Sequence, residues 1–266
     1  MPDSCCTTPS SFDQTQAVED RYRAAAQHQE ACLCTPVGFD PALLAVIPAA
    51  VVERDYGCGD PTRWVRSGDR VLDLGSGSGK NVFICAQVVG AEGRVVGVDR
   101  NAEMLALSRG AAEEVADAIG FANVAFIEGA IEALDQQTAE ASPLVADASV
   151  DVVLSNCVLN LVNPASRQRL LSNIRRVLAP GGRVAISDIV CDRSVPLALQ
   201  QDPELWSGCI SGAWQEEAFI ADFQALGFEQ VRFADRSETP WRVVEGIEFR
   251  AVTLVGELPQ AACSCC

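Results

Sequence analysis

A regular alternation through the middle of the chain constrains its fold more than any other feature. Short runs rich in Val, Ile and Leu stand at 70–74, 94–98, 124–127, 150–155 and 183–187. Between them lie helical patterns at 79–89, 102–118 and 164–178, with a short, weak one near Ile131. Strands separated by helices of this length form parallel βαβ units, and repeated units build a sheet covered by helices on both faces. The expected fold class is therefore α/β, a doubly wound and mostly parallel sheet. Farther on, 215–226 reads as a helix, and 230–234 and 248–255 read as strands. No helix separates that last pair, so one of them must run antiparallel. The count is seven strands with an antiparallel last strand. Ahead of the sheet, helices are expected over 18–30 and over 41–56. The domain plan is an N-terminal cysteine-containing helical lid at 1–64, the α/β domain at 65–256, and a cysteine-rich tail at 257–266.

Composition narrows the classes of partner. Nearly half the residues are hydrophobic, enough for one large core, although length alone leaves two small domains open. The net charge of −16 and the lack of a basic stripe disfavour nucleic acid and anionic membrane surfaces. No apolar run approaches the ~18 residues that cross a bilayer, and the N-terminus lacks the basic and apolar regions of a secretory signal. A cytoplasmic location is expected. The twelve cysteines are Cys5, Cys6, Cys32, Cys34, Cys58, Cys85, Cys157, Cys191, Cys209, Cys263, Cys265 and Cys266. In a reducing compartment this density points to soft-metal or redox chemistry, or else to small buried hydrophobes.

The run Val71-Leu72-Asp73-Leu74-Gly75-Ser76-Gly77-Ser78-Gly79 ends the first strand and opens the first helix. Glycines there allow a tight turn and a close approach to a ligand, beside the partial positive charge of a helix N-terminus. Asp99 ends the second strand, where a carboxylate can take both ribose hydroxyls of a nucleoside. Two cofactors compete for this arrangement. A dinucleotide fingerprint is Gly-x-Gly-x-x-Gly, whereas here the third glycine falls one residue early. Asp73, just ahead of the loop, would repel a pyrophosphate and suits the ammonium of a methionine moiety. The fourth strand ends in Ser155-Asn156-Cys157-Val158-Leu159-Asn160, at the carboxyl edge where open α/β sheets bind ligands. Leu178-Ala179-Pro180-Gly181-Gly182-Arg183 reads as a helix stop and turn feeding the fifth strand.

These residues resemble the class I S-adenosylmethionine-dependent methyltransferases, and within that class the chain looks most like the arsenite methyltransferases. The closer likeness rests on Tyr56-Gly57-Cys58-Gly59, on Leu74 to Gly79, on Ser155 to Leu161, and on Leu205 to Ala213 around Cys209. It runs from about residue 30 to 255. It implies a Rossmann-like methyltransferase domain with a substrate-binding insertion at about 191–225. The implied cofactor is S-adenosyl-L-methionine, held by Asp73, Gly75, Ser76, Gly77, Gly79, Asp99, Arg100, Met104, Gly129, Ala130, Ile131 and Asn156. The implied catalytic residues and arsenic ligands are Cys58, Cys157 and Cys209, with Cys58 as third ligand or redox partner and a thiol reductant of the thioredoxin or glutathione type as co-reactant. There are departures. Lys80-Asn81 follows the glycine loop where the family usually has Arg-Asp, and Cys32 and Cys34 are both counterparts of the family's first relay cysteine. No large additional C-terminal domain is expected.

Trivalent arsenic is soft and prefers sulfur, and bound to thiolates it keeps a lone pair that needs no deprotonation. That agrees with a chain whose only histidine, His28, lies outside the expected core. Thiolate is the binding form, so partial deprotonation of the cysteines is expected. Cys85, among Phe83, Ile84 and Ala86 on a helix, is expected to be core, Cys191 is undecided, and the terminal clusters suit metalloid capture. Two further readings remain: a methyltransferase for another small molecule, and a non-catalytic sensor of cofactor or metalloid.

Overall fold

A computed structural model describes residues 13–27 and 37–261, so the cysteines at 5, 6, 32, 34, 263, 265 and 266, and His28, lie outside the described residues. The first elements are α1 (Gln14–Gln27), α2 (Pro41–Leu44) and α3 (Ala49–Val52). The helix expected from 18 begins at Gln14, where Asp13 Oδ1 accepts from the backbone N–H of Thr15 and Gln16. The single helix expected over 41–56 is instead two short ones. Proline donates no N–H and biases the residue before it away from helical geometry, and Pro48 sits as the N-cap of α3 with ψ at 137°.

The expected alternation follows. It comprises β1 (Arg70–Leu74), α4 (Lys80–Val89), β2 (Arg94–Asp99), α5 (Ala102–Ile119), β3 (Val124–Glu128), β4 (Val150–Asn156), α6 (Arg167–Val177) and β5 (Leu178–Cys191). The weak helix near Ile131 is a 3-10 turn, Ile131–Ala133. Beyond β5 come α7 (Leu197–Gln200), α8 (Pro203–Ser207), β6 (Trp214–Gln215), α9 (Glu216–Ala225), β7 (Glu229–Arg236), β8 (Arg242–Val244) and β9 (Ile247–Glu257).

The main path of the sheet runs β3-β2-β1-β4-β5-β9-β7, with β6 added beside β5 and β8 beside β9. Strands β1 to β5 pair in parallel, and β9 pairs antiparallel with both β5 and β7. The seven strands of the main path and the antiparallel last strand are as expected, and among the described residues two further strands, β6 and β8, lie off that path. The two extra strands hold two and three residues, too short for an alternating pattern to register. β8 and β9 form a hairpin around Glu245 and Gly246, both with positive φ, the backbone that suits a tight two-residue turn. β5 is much longer than the expected 183–187, because the Pro-Gly-Gly turn is absorbed into it as an irregularity in its pairing with β4.

Side chains alternate across each strand, and the burial follows. Val71 of β1 faces α4, in a cluster with Val82, Ala86 and Val89. Leu72 and Leu74 face the other side, with Leu170 and Ile174 of α6 and Phe219 and Phe223 of α9. Each fully buried Leu or Phe contributes roughly 1.5–3 kcal/mol. The strand order reverses between β1 and β4, which opens a crevice at their carboxyl ends. Among the described residues no helix is long and apolar enough to cross a membrane.

Candidate active site

The crevice holds a cavity of about 660 Å³, lined by Gly75 to Ser78 after β1, Asp99 after β2, and Asn156 and Cys157 after β4. Gly75 has φ of 72°, and a Cβ there would strike Val158. Gly77, at φ 51°, faces open space, so a side chain there would enter the cavity. Asp99 is fastened to this loop: its Oδ2 accepts from the Gly77 N–H and its Oδ1 from the Asn101 N–H, each at 2.8 Å. Burial pushes its carboxyl above the usual range, opposed by those backbone hydrogen bonds. Met104, Gly129, Ile131 and Arg100 also line the cavity, with Arg100 ion-paired to Glu19 and Glu132 at 3.8 Å.

Three residues expected to hold the cofactor do not line the cavity. Gly79 does not line the cavity. A Cβ there would meet Phe83, Phe126 and Ser108 at 3.0 Å, so its place is in the packing of α4. Ala130 is the N-cap of the turn Ile131–Ala133 and is likewise not part of the lining. Asp73 lies behind the loop: it is buried, neither carboxylate oxygen has a hydrogen-bond partner, and burial raises its pKa to about 7. Asp55 and Asp99 push it the same way, while Lys80 opposes. The neighbouring Ser76 Oγ and Asn81 Oδ1 are also buried without partners. Such a set of orphaned acceptors fits a ligand that brings a cation and hydrogen-bond donors, as a methionine ammonium does. Lys80, in the place where the family usually has Arg, pairs with Asp55 and lies 3.9 Å from the centre of the Phe39 ring.

Beside this crevice is a second, much smaller chamber of about 10 Å³, lined by the three cysteines with Tyr22, Ile189 and Trp241. Cys157 and Tyr22 line both spaces. Cys157 follows β4 and Cys209 follows α8, and both take φ of 62°. Cys209 Sγ donates to the Cys157 carbonyl at 3.1 Å, and Cys58 lines the same chamber as these two. Cys58 is brought in by Asn156, whose Oδ1 accepts from the N–H of Cys58 and Gly59 and whose Nδ2 donates to the Gly59 carbonyl. Asn156 thus borders the large cavity while setting the third thiol.

All three thiols are pushed up. Burial does so for Cys58, and the hydrogen bond with Cys157 and then burial do so for Cys209. For Cys157 the Cys209 hydrogen bond pulls downward and is outweighed by the Cys58 hydrogen bond and burial. At neutral pH the site holds thiols, where partial thiolate was expected. Cys85 is buried within α4, apart from the thiols, whereas Cys191 in β5 shares their apolar cluster but donates to the Trp214 carbonyl at 3.2 Å and does not line the chamber.

Sequence reasoning missed Tyr22, Asp188 and Trp241. Thr15, Val18, Glu19 and Tyr22 of α1 all line the large cavity, and their spacing of three, four and seven marks one helical face. Asp188 lies in a strand that is otherwise apolar from Val184 to Val190 apart from Ser187, and an acid in such a run is a signal in itself.

The strand order, the glycine loop and the acid-ended second strand together define a class I S-adenosylmethionine-dependent methyltransferase. A family profile described as a methyltransferase domain matches residues 65–233. The chain belongs to the arsenite methyltransferase family. It is 34% identical to the crystal structure of an arsenic(III) S-adenosylmethionine methyltransferase from Chlamydomonas reinhardtii, with a TM-score of 0.72, covering 85% of this chain and 76% of that one. It is 42% identical over 202 residues to the arsenite methyltransferase of Aquipseudomonas alcaligenes, covering 75% of this chain and 55% of the relative. To that of Halobacterium salinarum it is 43% identical over 207 residues, covering 76% and 48%. The chain spans about half the length of the curated relatives it matches.

Proposed function

We propose that the protein transfers a methyl group from S-adenosylmethionine to trivalent arsenic held by Cys58, Cys157 and Cys209. The observation that carries this reading is the chamber lined by three buried thiols, which shares Cys157 with the cofactor-sized crevice. Asp99 and the loop Gly75–Ser78 suit the nucleoside, and Asp73 with Asn81 suits the amino-acid end. S-adenosylmethionine supplies an electrophilic methyl group on a sulfonium centre. The chain's task is then position, since holding reactants together removes much of the entropic barrier.

Neutral thiols suit arsenous acid. Each condensation of a thiol with an arsenic hydroxyl forms one As–S bond and releases one water, which carries the thiol proton. No free thiolate is required, so burial that raises the thiol pKa is no obstacle. Once bound to sulfur, arsenic keeps its lone pair for the incoming methyl, and the chain supplies no general base. A thiol reductant of the thioredoxin or glutathione type belongs to the same proposal.

The test is mass spectrometry of arsenic products after incubation of the protein with S-adenosylmethionine, arsenite and thiol. Methylated arsenic should form with the parent and with Cys85→Ser, and should fall below detection with Cys157→Ser or Cys209→Ser while cofactor affinity holds. Parental turnover by both of the latter variants would remove arsenic from the proposal.

A further inference from the structure

Asp188 has no part in the reaction proposed above, yet it stands among the thiols. The sulfurs of Cys157 and Cys209 and a carboxylate oxygen of Asp188 all lie within 4.8 Å of one another, and all three residues are buried. An acid is costly to bury without a partner, and here it is held in a fixed orientation. Its Oδ1 accepts from the Ile189 N–H at 2.8 Å and from Asn160 Nδ2 at 2.8 Å, and its Oδ2 from the Asn160 N–H at 3.3 Å. Asn160 Nδ2 donates also to the carbonyls of Ile189 and Cys209, so the same amide ties the carboxylate to the Cys209 loop. Outer hydrogen bonds that fix a carboxylate in this way are characteristic of metal sites.

Trivalent arsenic has no evident use for this oxygen. It is soft, and three sulfurs satisfy its pyramidal coordination. A four-coordinate dication does have a use for it. Zinc takes thiolate at ~2.3 Å and carboxylate oxygen at ~2.0–2.2 Å, which sets neighbouring ligand atoms roughly 3.4–3.8 Å apart around a tetrahedron. The three groups, already within 4.8 Å of one another, reach that spacing by closing at most roughly 1–1.4 Å. Cys58 lines the same chamber but lies outside this group of three, so it serves as a fourth ligand only by moving inward.

We infer that Cys157, Asp188 and Cys209, completed by Cys58, form a binding site for a thiophilic dication such as zinc or cadmium, which excludes arsenite from the same thiols. Binding releases the thiol protons to solvent, and the metal gains two or three sulfur bonds and one oxygen bond with no change of oxidation state. Asp188 discriminates between the two occupants: the dication needs it and arsenite does not.

Cadmium ions are the probe, titrated into the full-length reduced protein under anaerobic conditions. Thiolate-to-cadmium absorbance reads the stoichiometry, and cadmium NMR separates mixed sulfur–oxygen ligation at this site from all-sulfur ligation by cysteines elsewhere. The parent should show one mixed site, and Asp188→Asn should weaken it at least about tenfold, with arsenite affinity within about twofold of the parent. Arsenite binding by Asp188→Asn also reports that the thiols remain assembled. If that variant does not fold, the parent still decides: preloading with arsenite should remove the mixed site and leave other cadmium sites unchanged. An all-sulfur spectrum, an unaltered cadmium affinity in Asp188→Asn, or full cadmium binding after arsenite preloading would each overturn the inference. The inference rests on the arsenic reading only for that exclusion. Should arsenite fail to bind while the mixed site still requires Asp188, the arsenic reading falls and the dication site stands.

Discussion

Cys157 and Cys209 hold their thiols at a cost in backbone energy. Both take φ of 62°, a conformation that costs an L-residue roughly 1–2 kcal/mol and is maintained where the surroundings over-determine it. The usual stability order of Gly and Ala should therefore invert at Cys157. Cys157→Gly should be more stable than Cys157→Ala by about 1 kcal/mol in urea unfolding, and neither should bind arsenite. Equal stabilities would show that the left-handed turn carries no strain. The neutral thiols lead to a second expectation. Condensation with arsenous acid releases water and no net protons, so arsenite affinity should stay flat between about pH 6 and 8. A dication must displace protons from the same thiols, so its affinity should climb across that range. Calorimetry at both ends tests this, and a steep rise for arsenite would mean that thiolates are the binding form. The three thiols were legible in the sequence through their local motifs. Asp188 was not, because its partners come from β4's turn and the Cys209 loop and meet it only in the folded sheet. Gly79 and Ala130 sit within the right motifs but do not line the cavity, and a motif does not specify which way its residues turn.

At the scale of elements, α1 joins the two chambers. Its face of Thr15, Val18, Glu19 and Tyr22 lies over the crevice, and Arg21 donates to the Glu204 carbonyl and to Ser207 Oγ of α8, just ahead of Cys209. Among the described side chains of this helix only Val18 and Ala25 are deeply buried, so local opening should cost it less than the core helices. Ligands that touch this face should hold it down. Saturating S-adenosylmethionine at a hundredfold excess over its Kd contributes up to about 2.7 kcal/mol, which would slow amide exchange in α1 by up to about 100-fold. Exchange in α9, on the far side of the sheet, is the control. No change in α1 would show that the helix does not cover bound cofactor. The alternation of strands and helices was readable because each buried strand repeats an apolar run and each helix an apolar stripe. The helix was expected as part of an N-terminal lid, but the face it lays over the crevice escaped the reading because that face is largely polar. Pro48 is the opposite case: the break was written in the sequence, and the amphipathic pattern on either side of it concealed it.

For the molecule as a whole, the orphaned carboxylate of Asp73 links stability to cofactor. The group is buried with both oxygens unpaired and its pKa is raised to about 7, chiefly by burial. Unfolded, it titrates near ~3.9. Below that value both states hold the proton. Between about pH 4 and 7 only the folded state keeps it, so the folded state binds more protons and stability falls as pH rises. Above about 7 both states are ionised and the loss levels at roughly 4 kcal/mol. Asp73→Asn removes this charge and keeps the shape, although the amide's own unpaired atoms take back about 1–2 kcal/mol. The ligand-free variant should thus be more stable than the parent by roughly 2–3 kcal/mol at about pH 8, and the advantage should shrink toward pH 5. Its affinity for S-adenosylmethionine should fall, because the charge that destabilises the empty protein is the one suited to the ammonium. Urea unfolding with and without cofactor at both pH values measures the two effects in one experiment. A variant less stable than the parent at about pH 8 would mean that the carboxylate is satisfied in the folded protein. A variant that gains stability and binds cofactor as tightly as the parent would move the amino-acid end of the ligand away from Asp73.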